Sequence, residues 1–226
     1  MAVTEEAIQS IKEMIVSGEL SAGDRLPPEK ELSERLGLSR NSLREAVKAL
    51  ELIKVLDVRR GDGTYVTSLE PHLLLDAMSF VIDLYRDHSV LEIFEVRRVL
   101  EPYAAGRAAE RITDEQVAEL RAMMETVAES TNVEDLVAHD IEFHRLVVQI
   151  GGNEYLSSLL DGLSSATARA RVWRGLTQER SVARTLAEHS AIVDALANRD
   201  PEMARSWTTV HVGGVESWLR ASIRPD

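Results

Sequence analysis

The chain has 226 residues, of which 44% are hydrophobic and 28% charged, the balance of a folded globular protein of about two modest domains. It contains no cysteine, which excludes disulfides, thiol catalysis and thiolate metal sites, so any metal must be held by His and carboxylate. The formal net charge is −12; no apolar run is long enough to span a bilayer and no secretory leader is visible, so a cytoplasmic protein with no membrane partner is expected.

The acidity is uneven. Residues 1–67 hold 10 Lys/Arg against 12 Asp/Glu, and the remainder holds 16 against 26. The first segment is therefore close to neutral and can carry a basic face, while the second is strongly acidic.

In chain order, Ile8, Ile11, Met14 and Ile15 recur at helical spacing over residues 4–17, and Gly18 ends the pattern. Pro27 and Pro28 turn the chain into a short helix over 29–36, closed by Gly37. Ser39 has the chemistry of an N-cap for a third helix in which Leu43, Val47, Leu50 and Ile53 face inward. Arg40, Arg44 and Lys48, at i, i+4 and i+8, then fall on one outer face. Val55–Val58 and Thr64–Val66 are β-prone runs around an Arg59-Arg60-Gly61-Asp62-Gly63 tip.

Thereafter the pattern is helical. A linking helix is expected over 69–87, followed by stretches at about 88–110, 113–130, 132–150, 153–175, 178–198 and 201–222. The breaks fall at Thr113-Asp114, Asn132, Gly151-Gly152-Asn153 and Asp200-Pro201. The expected architecture is mainly α: a winged helix-turn-helix over 1–68, the linker, and an all-α antiparallel helical bundle over 88–226. Three short helices with a basic outer stripe and a hairpin wing form a device for placing one helix in the major groove of DNA.

The bundle also carries Asp140 and His144, four apart on one helix, so the two side chains stack one turn apart. That spacing alone serves a surface pair or a core histidine as readily as a metal site. His189 and His211 lie on two later helices.

Several segments together resemble the GntR family of bacterial transcription regulators, in its FadR subgroup with a C-terminal FCD domain. They are the L-P-P-E-K-E-L-S-E-R-L-G-L-S-R-N-S-L-R-E-A-V-K-A-L run, the R-R-G-D-G-T-Y-V wing, E-V-R-R-V-L-E-P-Y-A-A at 95–105, D-I-E-F-H-R-L-V at 140–147, E-H-S-A-I-V-D-A-L at 188–196, and His211. The resemblance implies a homodimeric regulator, here read as a repressor, on a palindromic double-stranded DNA operator. It implies Lys30, Arg40 and Arg44 as contacts to phosphates and base edges, with Ser39, Asn41 and Ser42 at the recognition helix's start and Gly61 approaching the minor groove. It implies Asp140, His144, His189 and His211 as ligands of a divalent ion, with zinc, nickel and manganese suited to three imidazoles and a carboxylate. His72, His88 and His139 have no such match and read as surface or structural.

Family members of this kind bind a small organic acid beside the metal, and its carboxylate would also want a cation. Arg98 and Arg97 in the E-V-R-R-V-L-E run come first and Arg171 next, because a guanidinium fork matches a carboxylate. Arg98 could equally pair with Glu95 or Glu101 on its own helix. Two other readings use the same residues. A metal-dependent hydrolase would activate water on the Asp/His cluster, but no general base is evident, since Glu142 points about 200° away from Asp140 round the helix. A ligand-independent DNA-binding dimer would use the bundle for pairing alone.

Overall fold

The computed structural model describes residues 3–70, 73, 89–127, 132–178 and 180–223. The chain divides into two compact units, Met1–Ala77 and Met78–Asp226. The expected linking helix falls almost entirely outside the described residues, as do His72 and His88.

The first unit is a winged helix-turn-helix. Helices α1 (Val3–Val16), α2 (Glu29–Leu36) and α3 (Arg40–Leu52) precede strands β1 (Leu56–Arg59) and β2 (Gly63–Val66). The apolar periodicity becomes one core of Ile11, Met14, Leu20, Leu26, Leu32, Leu43, Leu50, Leu56 and Val66. Each fully buried Leu there contributes roughly 1.5–3 kcal/mol relative to exposure. Gly37 closes α2 at φ 68, and the Leu38 N–H returns to the Ser33 carbonyl at 3.0 Å, the Schellman pattern that a glycine accepts without Cβ strain. The two strands pair antiparallel with Leu56 opposite Val66 and Arg59 opposite Gly63. Gly61, at φ 77, makes the tip.

One expectation fails in this unit. Ile53 is 43% exposed, because α3 ends at Leu52 and the chain has turned before it can point inward. Val55 packs on the core in its place.

The second unit is all-helical among the described residues: α4 (Ser89–Arg111), α5 (Asp114–Glu125), α6 (Val133–Ile150), α7 (Glu154–Thr177), α8 (Ser181–Ala197) and α9 (Pro201–Ile223). Thr113, Asn132 and Asn153 cap α5, α6 and α7, each side-chain oxygen accepting a backbone N–H three residues on. The breaks legible in the sequence are thus helix starts. Helix α4 packs against α6, α7, α8 and α9. Its buried Ala104, Ala105, Ala108 and Ala109 let neighbours approach closely. The functional side chains of this unit face the space those five helices enclose.

Ser39 caps α3 by accepting the Ser42 N–H at 3.1 Å. Ser39→Ala is expected to destabilise the N-terminal unit by about 1 kcal/mol, read as a shift in its urea unfolding midpoint; an unshifted midpoint would show that the cap contributes nothing.

Candidate metal centre and nucleic-acid face

The N-terminal unit gathers its basic residues at the α2–α3 corner. Lys30, Arg40, Asn41 and Arg44 are exposed, and Ser42 shares its hydroxyl with Ser39 at 2.8 Å. The Arg44 guanidinium is held by Glu29 at 2.7 Å and Lys48 by Glu45 at 2.9 Å. Those side chains are therefore paired in the free protein, and a phosphate or base would have to displace the carboxylates. In the wing, Arg59 lies 4.2 Å over the Tyr65 ring, the Tyr65 hydroxyl donates to Asp62 at 2.9 Å, and Arg25 donates to the Asp62 carbonyl. Arg25 and Arg59, not singled out from sequence, brace the hairpin that carries Gly61.

In the helical unit, Asp140, His144, His189 and His211 come together, and one ligand atom from each lies within 4.8 Å of the others. All four are buried. The three Nε2 atoms converge on one carboxylate oxygen: Asp140 Oδ1 is 3.7 Å from His144, 3.1 Å from His189 and 3.4 Å from His211. Its other oxygen accepts from Arg171 at 2.6 Å. The outer nitrogens are also placed. Nδ1 of His211 meets Glu188 at 3.0 Å, and Nδ1 of His144 lies 2.8 Å from Glu101, close but out of line for a hydrogen bond. The Phe143 ring stacks on His189 at 4.1 Å.

Further polar side chains pack around these four residues. Arg97 pairs with Glu101 and donates to the Thr167 hydroxyl at 2.9 Å. Arg171 uses the same hydroxyl at 2.7 Å. Burial opposes charge on Asp140, but Arg171 and the three imidazoles outweigh it and hold the carboxyl well below its usual range. Burial likewise opposes charge on Glu101, and Arg97 and His144 outweigh it. Burial pushes the His189 imidazole down to about 3, so at neutral pH it is an uncharged ring. Burial and the neighbouring Arg97 lower Arg171 to about 10, and it stays a cation.

These groups fit a divalent ion. His144 Nε2 and both nitrogens of His189 are buried without a hydrogen-bond partner, a cost of about 1–3 kcal/mol for each orphaned group. The Glu188 carboxylate at the outer nitrogen of His211 sets the tautomer that turns its Nε2 inward, as around metal-ligating histidines, and Glu101 lies beside the outer nitrogen of His144. Three imidazole nitrogens and a carboxylate oxygen form a donor set for zinc, nickel or manganese.

Comparison with known proteins bears on the whole chain. Residues 3–66 match the gntR family of bacterial regulatory proteins, and residues 92–214 match the FCD domain. The chain belongs to the GntR family. The galactonate operon transcriptional repressor of Escherichia coli (strain K12) is 30% identical over 207 residues, covering 89% of this chain and 90% of that protein. The transcriptional regulator LutR of Bacillus subtilis (strain 168) is 29% identical over 215 residues, covering 91% and 96%. The solved structure of Streptococcus agalactiae GntR superposes with a TM-score of 0.69 at 27% identity, over 95% of this chain and 99% of that one.

This GntR-family protein is accordingly a DNA-binding transcription regulator with an FCD domain, and not an enzyme. The hydrolase reading falls on that membership. In keeping with it, Glu142 is spent on an ion pair with Arg145 away from the cluster.

The arginines read from sequence separate in the GntR-family regulator's fold. Arg97 and Arg171 are buried beside the cluster, at 2% and 6% exposure. The Arg98 side chain is 44% exposed and pairs with Glu216 of α9 at 2.8 Å, neither with Glu95 nor with Glu101. Consecutive helical residues point 100° apart, so only one of the two arginines can face the interior. His139 is structural, its Nε2 lying 3.0 Å from the Met123 carbonyl.

A cavity of about 30 Å³ adjoins the cluster, lined in part by Asp140, His211, Arg171, Arg174, Ser181 and Thr185. The last three carried no signal in the sequence. Replacing Arg171 by Met would leave Asp140 buried without its guanidinium. In metal-free protein Arg171→Met is expected to cost the helical unit about 3–5 kcal/mol by urea unfolding; a cost under about 1 kcal/mol would show that the pair is not what holds the carboxylate.

Proposed function

We propose that this chain is a ligand-responsive repressor of the FadR subgroup, acting in the cytoplasm as a homodimer on a palindromic operator. Residues 1–68 would grip DNA, 69–87 link, and 88–226 sense and dimerise. The observation that carries the reading is the convergence of three buried imidazole Nε2 atoms on Asp140 Oδ1 in the same chain as a winged helix-turn-helix. The name of the Escherichia coli relative, a repressor of a galactonate operon, supports both the sign of regulation and an effector bearing a carboxylate.

On the DNA side, Arg40 and Arg44 would meet base edges and phosphates, Lys30 the backbone, and Ser39, Asn41 and Ser42 the phosphate nearest the helix start, where free N–H groups and the helix dipole favour an anion. Gly61 would let the hairpin tip approach the minor groove. Two copies related by a two-fold axis would space two recognition helices on two half-sites.

On the sensing side, Asp140, His144, His189 and His211 would hold the divalent ion, zinc, nickel or manganese. When bound, that ion would offer open positions to a carboxylate oxygen. The chain's own part is to fix the donor geometry through Glu101, Glu188 and Arg171, to exclude bulk water, and to supply cations to the acid. Arg171 and Arg97 are better placed for this than Arg98, which faces outward. The cavity is too small for an organic acid as it stands. The acid would therefore favour a wider arrangement of the helices, and this difference in affinity between the two states is what can shift DNA binding.

Metal analysis of gently purified protein is expected to find one ion per wild-type chain and little in His189→Ala; equal content in the two would remove the cluster as the metal site. For DNA, Arg44→Ala is expected to weaken binding to the operator by about 1–3 kcal/mol, whereas Glu29→Gln, which frees Arg44 from its partner, is expected to strengthen it. Gel-shift titrations read both, and unchanged affinity in both variants would take Arg44 out of the reading surface.

A further inference from the structure

Charge balance around the cluster says more about the ligand than that it is an acid. Three guanidiniums are buried there, Arg97, Arg171 and Arg174, at 2%, 6% and 3% exposure. Three carboxylates are buried with them, Glu101, Asp140 and Glu188, at 2%, 6% and 6%. The two sets cancel. Arg184, at the water side, also pairs with Glu188 at 2.7 Å and only adds to the positive side. Among the described residues of this unit the remaining buried acid, Glu216, serves Arg98 and Arg220 on the outer face. A divalent ion at Asp140 therefore leaves two positive charges uncompensated among these buried side chains, where an unbalanced charge is costly.

The second observation is where the spare donors lie. Arg97 and Arg171 each have a carboxylate of their own. Arg174 has none: its Nε donates to the Gln178 amide oxygen at 2.6 Å, and its Nη2 is buried without a partner. The Ser181 hydroxyl is likewise buried without a partner. Both line the cavity that Asp140 and His211 also line.

We propose that the effector is a dianion with two carboxylates, one directed at the metal cluster and the other received by Arg174 and Ser181, which line the same cavity. This rests on the metal reading above. A guanidinium fork with an unpartnered nitrogen, on a cavity that also holds an unpartnered hydroxyl, is a receptor for a carboxylate, and the second acid group is what brings the loaded site to neutrality. A monocarboxylate would leave Arg174 unpaired.

Calorimetric titration of the zinc-loaded full chain tests this with matched probes: malate against 2-hydroxybutyrate, and succinate against butyrate. Each diacid is expected to bind at least tenfold more tightly than its monoacid. In Arg174→Gln, zinc content and monoacid affinity are expected to stay as in wild type while the diacid advantage falls towards one. Ser181→Ala, a milder change, should reduce the same ratio in part. Equal affinities for diacid and monoacid in wild type, or an undiminished ratio in both variants, would overturn the dianion assignment while leaving a metal-bound acid in place. If zinc binds and no acid does, the effector reading fails with it; if zinc itself does not bind, the metal centre fails first.

Discussion

One carboxylate oxygen organises the sensing unit. Asp140 Oδ1 has three imidazole nitrogens within 3.7 Å, and Arg171 anchors the other oxygen at 2.6 Å. The four inner side chains come from α6, α8 and α9, and the groups that orient them come from α4, α7 and α8. Five of the six helices described in this unit thus meet at a single polar point inside an otherwise apolar bundle. Such a point is expensive to bury. The cost is offset where partners exist, at Arg171 and Glu188, and is left open at the inward nitrogens of His144 and His189. A polar core that is nearly satisfied, with its unpartnered imidazole nitrogens turned toward one carboxylate oxygen, has the chemistry that fits a cation.

The same economy of charge runs through the DNA-reading unit. The chain is acidic overall, and the exposed Arg44 and Lys48 are engaged by Glu29 and Glu45. Exposed pairs of this kind are weak, contributing about 0–1 kcal/mol. They let the basic face be presented to phosphate without a strong general attraction to any polyanion. Under the proposed reading, specificity would rest on the α3 side chains and the wing, while the acidic helical unit would disfavour non-specific contacts.

Much of this was legible in the sequence because the signals are local. Ser39, Thr113, Asn132 and Asn153 are caps whose chemistry acts over three residues, and Gly37 is a stop that needs only its own backbone angle. Helix boundaries followed to within a few residues, and the winged helix-turn-helix followed from their order. The Asp140–His144 pair was visible as a spacing, yet its partners on α8 and α9 are brought in by tertiary packing, and only the family resemblance pointed to them. Arg97 and Arg98 illustrate the limit from the other side. A helix period separates their directions by 100°, but not until α9 places Glu216 beside one and α7 places Thr167 beside the other is it fixed which goes in. Arg174 and Ser181 had no pattern to betray them, since what distinguishes them is an unfilled hydrogen bond in the folded chain.

The most direct measurement is anomalous diffraction from crystals of the full chain grown with zinc, with data collected on either side of the zinc absorption edge. A single strong peak is expected within bonding distance, about 2.0–2.2 Å, of Asp140 and of the Nε2 atoms of His144, His189 and His211. A cluster without a peak, in crystals whose protein carries zinc elsewhere or not at all, would contradict the metal-centred sensor.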